Sequence, residues 1–108
     1  MANSPYYFRE TNTATADTPF KVVTKDIWLY YADVFVLSNN AYMGDIGNQD
    51  IPILANDIYT FPTPVNINDL FFKNYGAGLN TNVIITGIGM SDADIKTLLT
   101  VGKFALRQ

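Results

Sequence analysis

Two pairs of aspartates carry the carboxylates best spaced for chemistry: Asp45 with Asp50, bracketing a polar turn, and Asp92 with Asp94, opening a late segment. Paired carboxylates can divide acid and base work when a cleft raises the pKa of one of them. A domain this small seldom encloses such a cleft, and loop aspartates stay solvated, so these four read as turn formers and helix caps. Asp45, Asn48 and Asp50 offer the oxygen donors that calcium favours, but their spacing departs from the EF-hand series. The three serines, Ser4, Ser38 and Ser91, lie in no G-x-S-x-G context, and no His or Cys is present to activate or replace them. Gly87-Ile88-Gly89 has the start of a dinucleotide loop, yet Asp92 stands where the third glycine belongs and only 19 residues follow Gly89. No βαβ unit can be completed in that length. The residues therefore predict a non-enzymatic chain with no cofactor and no metal.

Charge and composition narrow the partners. The 108 residues carry seven Lys plus Arg against ten Asp plus Glu, a net charge of −3. Phosphate neutralisation needs clustered cations, so nucleic acid is not an expected partner. No apolar run approaches the length of a membrane span. Met1–Glu10 lacks a basic start followed by an apolar block, so no signal peptide is read there, and synthesis is expected in the cytosol. With 48% hydrophobic and 14% aromatic residues, the chain is suited to burying surface against other proteins.

The aromatic residues sharpen that expectation. Most of Trp28, Tyr30, Tyr31, Tyr42, Tyr59, Phe61, Phe71, Phe72 and Tyr75 must fill a core. Alternation along a strand, however, sends one ring of Tyr30-Tyr31 and one of Phe71-Phe72 to each face. An outward ring is least costly when a partner covers it. Tyr30 and Tyr42 are the expected outward rings, serving protein contact or, alternatively, sugar stacking. Tyr6-Tyr7-Phe8, with Arg9, precedes a polar Thr/Ala stretch. It reads either as an edge strand on the chain's own sheet or as an arm laid on a neighbouring subunit by strand addition. The arm, residues 1–19, is the preferred expectation.

The elements that must hold these residues are short. Phe20–Thr24, Asp26–Ala32, Val34–Leu37, Ala41–Gly44, Ile51–Leu54, Asp57–Phe61, Leu70–Tyr75 and Thr81–Ile88 read as strands, broken every eight to twelve residues by Asn, Asp, Gly or Pro. Ala55-Asn56 resembles a tight hairpin connection. Ser91-Asp92-Ala93-Asp94 resembles a capping box, and Ile95, Leu98, Leu99 and Gly102 share one helical face from Asp92 to about Val101. Lys103–Gln108 is left as a last strand or a tail. The prediction is an all-β domain over 20–108: a small antiparallel β-sandwich or jelly-roll-like fold of seven to eight strands, with an extended N-terminal arm and a short C-terminal helix near 91–101.

The central region also resembles a family. Asp33–Asp45, Ile51–Phe61 and Asn66–Phe72 are similar, in their order of strand and turn types, to small β-sandwich structural proteins of tailed-bacteriophage virions. The resemblance covers residues 28–88 and leaves out the aromatic N-terminus and the Ser91 segment. It implies a capsid decoration, cement or fibre-attachment piece located in the virion, often a homotrimer, whose partners are its own copies and the major capsid protein or another virion protein. A tail, neck or carbohydrate-binding attachment module is the alternative that it implies.

Overall fold

A computed structural model of the chain describes residues 3–14, 19–45, 47–74 and 81–106. Eight strands form two antiparallel sheets, as the alternating sequence predicts. They are β1 (Tyr6–Ala14), β2 (Trp28–Leu37), β3 (Ala41–Gly44), β4 (Ile51–Ile53), β5 (Ile58–Phe61), β6 (Val65–Asn66), β7 (Phe71–Asn74) and β8 (Thr81–Gly89). Among the described residues, one α-helix, α1 (Asp92–Leu106), follows β8. The larger sheet has the order β1-β8-β2-β5, with β6 pairing to the start of β2. The smaller sheet has the order β4-β3-β7.

The two sheets share one core. Strict alternation on β8 buries Thr81, Val83, Ile85, Gly87 and Gly89 and leaves the residues between them half-buried. Leu29, Ala32, Val34 and Val36 of β2 join Val83 and Ile85. They meet Ala41, Met43, Ile53 and Phe72 from the smaller sheet. This facing of two apolar surfaces is what makes the architecture sandwich-like.

Several local readings are corrected. Tyr6–Ala14 is a nine-residue edge strand on the chain's own β8, in register from Tyr6 opposite Gly89 to Ala14 opposite Thr81. Phe8 is buried in the common core, and for Tyr6–Ala14 the edge strand replaces the preferred reading of an arm laid on a neighbouring subunit; residues 1–2 and 15–18 of the expected arm lie outside the described residues. Residues 20–24 form no strand; Phe20 makes a single two-bond bridge with Phe72 at 2.7 and 2.8 Å. Asn12 Nδ2 donates to the carbonyl of Lys21 at 2.9 Å, tying that crossing segment to β1. Ala55-Asn56 does turn, with Asn56 at φ 66°, but it links β4 in one sheet to β5 in the other and closes no hairpin. The helix runs to Leu106, past the expected end near Val101.

A bulge divides β2. Leu29 pairs with Gly89 and Ala32 with Gly87, so three steps on β2 oppose two on β8. Leu29 and Ala32 are both fully buried, and Tyr30 and Tyr31 sit together in the extra step. The alternation that would have put one of these two rings in the core is broken there.

Candidate functional site

The outer face of the larger sheet is built row by row from its registers. One row is Arg9, Thr86, Asp33 and Thr60, on β1, β8, β2 and β5. On one side of it lie Thr11, Ile84, Phe35 and Ile58. On the other lie Tyr7, Ile88 and, across the bulge, Tyr31. Two apolar rows thus flank a central row holding one cation and one anion. Every side chain in these rows is exposed or half-buried. Tyr7 is 70% exposed, Ile58 54% and Tyr31 42%. Asp33 Oδ1 accepts a hydrogen bond from Thr60 Oγ1 at 2.8 Å, which orients the carboxylate on the face.

The residues expected to bind partners are dispersed by the fold. Tyr7 and Arg9 stand on this outer face. Phe8, one step between them, points the other way into the core. Tyr6 also points inward, and its ring lies against Gly89 at the edge of the sandwich. Tyr30 is half-buried, and its hydroxyl donates to Asp94 on the first turn of α1. That bond pushes the phenol pKa above its ordinary value. Tyr42 lies between the inward Ala41 and Met43 on the smaller sheet, with Lys73 Nζ 5.8 Å from its ring centroid. It belongs to the opposite side of the molecule from Tyr7.

Phe35, Ile58, Ile84 and Ile88 were not singled out by sequence reasoning. Their signal is present: Thr81–Gly89 carries large apolar residues in both parities, Val83 and Ile85 in one and Ile84 and Ile88 in the other. A strand with one solvated face alternates apolar with polar, so the second set marks a face awaiting cover.

A second feature lies at the end of the sandwich. Tyr6, Trp28, Met90 and Ile95, with Asp26 and Asp92, line an open concavity of about 530 Å³. The Asp26 carboxylate accepts from Asn68 Nδ2 at 2.9 Å and Asn66 Nδ2 at 3.2 Å, which holds its pKa below the ordinary value. Asn66 Oδ1 accepts in turn from the backbone N–H groups of Ile27 and Asn68, so Asp26 anchors the entry to the turn at Ile67–Asp69.

The chemical candidates have local duties. Asp45 Oδ1 accepts from the N–H groups of Gly47 and Asn48 at 2.8 and 2.9 Å, an Asx-type turn. Ser91 Oγ accepts from the N–H of Asp94 at 3.3 Å, capping α1. Among the described residues, no group of three or more acidic side chains is placed to hold a metal ion. No family model, no curated protein and no solved structure matches this chain.

Proposed function

We propose that this chain is a non-enzymatic association module that acts by burying the open face of its larger sheet against another protein. The observation that carries this reading is the pair of apolar rows, Ile58–Phe35–Ile84 and Tyr31–Ile88–Tyr7, exposed or half-buried on one sheet face. Large apolar side chains left on a sheet face on both sides of a single polar row are costly in water and mark a contact site. The resemblance of residues 28–88 to small phage virion proteins supplies the setting. On that reading the chain decorates or cements a tailed-phage capsid, against the major capsid protein or another virion protein.

The test is particle reconstitution. Tyr31→Ser with Ile88→Thr keeps the β-sheet and the core intact, and the variant is expected to fold with unchanged circular dichroism and to fail to join purified particles. Full retention on particles by this variant would overturn the reading. Locating the wild-type chain on particles by electron microscopy decides between capsid, tail and neck.

Sugar binding is the second reading, and it moves from Tyr30 and Tyr42 to the concavity. Trp28 and Tyr6 offer rings there beside Asp92, whereas the Tyr30 hydroxyl and the Tyr42 ring already have intramolecular partners. Glycan-array binding lost on Trp28→Ala would favour it over particle association.

A further inference from the structure

The open face carries its own complement. Arg9 and Asp33 occupy one row, on either side of Thr86 of β8. Among the described residues, Arg9 makes no ion pair and the Asp33 side chain accepts from Thr60 only. We propose that two copies of this chain stack open face to open face about a twofold axis running along β8, pairing Arg9 of each with the partner's Asp33. The proposal rests on the association reading above and names what covers the face in the free chain, a second copy that a virion partner then displaces.

The geometry follows from the registers. A twofold axis in the plane of contact and parallel to β8 exchanges the two sides of that strand and preserves position along it. Arg9 then lies over the partner's Asp33, and Asp33 over the partner's Arg9. Ile84 meets the partner's Ile84, Ile88 meets the partner's Ile88, and Tyr7 meets the partner's Tyr31. The other simple twofold, across the strands and through the charged row, stacks Arg9 on the partner's Arg9. Like charges placed together at an interface are strongly disfavoured, so the charges select the first axis. An isologous contact needs this kind of self-complementary patch, and sheets stacked nearly aligned interdigitate their facing side chains.

Size sets the strength. With the axis along β8, the strands β1, β8 and β2 overlap their counterparts while β5 overhangs; three strands at about 4.8 Å spacing, and three rows about 6.8 Å apart, give a contact of roughly 300 Å² in projection. A standard interface takes about 800 Å² of accessible surface per partner. The expected pair is therefore reversible and concentration-dependent.

Sedimentation of the full chain tests it. Wild type is expected to shift from 12.0 kDa toward about 24 kDa as concentration rises. Arg9→Glu alone and Asp33→Arg alone should each weaken self-association by at least about tenfold. Mixing the two variants should restore a pair, because each then offers the charge the other lacks, and R9E/D33R on one chain should pair with itself. The chain has no cysteine, so Thr86→Cys provides a check independent of charge reversal: a short bismaleimide should join two chains at position 86 but not at exposed position 24. A chain monomeric up to roughly 1 mM, a trimer near 36 kDa, or a pair indifferent to both reversals would overturn the proposal. A monomer whose Tyr31→Ser/Ile88→Thr variant still fails to join particles overturns the pairing alone and leaves the association reading standing.

Discussion

The ring of Tyr6 lies against the bare Cα of Gly89, directly across the β1–β8 ladder. A methyl group at position 89 would occupy the space of that ring, so the glycine is the seat on which the first residue of β1 rests. Gly89→Ala is expected to destabilise the fold by about 1–3 kcal/mol, the usual range for overpacking. Tyr6→Ala in the same chain should relieve most of that cost. Urea midpoints of the two single variants and the double variant would show the coupling.

Phe8 makes β1 a part of the core. Phe8→Ala is expected to cost about 3–5 kcal/mol, a large share of the stability of a domain this size. Removal of residues 1–14 is expected to leave an unfolded or aggregating chain, because it uncovers β8 along its whole length. A truncated protein that stays soluble with native circular dichroism would show that β1 is dispensable.

Much of this was readable in the residues. The strands over 41–44, 51–53, 58–61, 71–74 and 81–89 sit where alternation and turn residues place them, the two runs read at 26–32 and 34–37 join as the single strand 28–37, and Ser91 caps the helix as its spacing implies. The misplaced parts depend on facts that periodicity does not contain. Tyr6–Ala14 finds its partner 67 to 83 residues away, at Thr81–Gly89, and no local pattern announces a pairing that distant. The bulge between Leu29 and Ala32 shifts the parity inside one apolar run, so both tyrosines were assigned by a rule that fails at that step. The sheet change after Asn56 uses the same turn chemistry as a hairpin. The candidate face, similarly, depends on which strands become neighbours: Arg9, Thr86 and Asp33 form a row only once β8 lies between β1 and β2.

Asp26 gives the fold an acid limit. Its carboxylate is held below the ordinary value of 3.8, chiefly by the hydrogen bond from Asn68 and then by that from Asn66. The folded state therefore gains from the ionised form. That gain is complete well above pH 3.8 and disappears as the pH falls through the lowered value. Asp26→Asn should reduce stability near neutral pH and should flatten the fall of the urea midpoint below about pH 4. Equal acid slopes in the two proteins would count against this assignment.

Tyr30 acts at the alkaline end. The bond to Asp94 favours the neutral phenol and raises its pKa above 10.0, so the contribution is intact below pH 10 and is lost as the pH rises through the elevated value. Tyr30→Phe should free the first turn of α1 from the bulge, with faster amide exchange at Ile95 and little change at Ile85 in the core. Unchanged exchange at Ile95 would mean that the hydroxyl does not hold the helix.

Placing β8 at the middle of the larger sheet gives synthesis a definite order. β1 leaves the ribosome first, and the strand that it needs is the last of the eight to emerge. Until Thr81–Gly89 appears, β1 and β2 each present a bare edge, and either can accept the corresponding strand of another nascent copy. On a crowded polysome, exchange of β8 between chains competes with self-pairing, and the yield of correctly closed monomer is expected to fall as translation rate and local chain density rise.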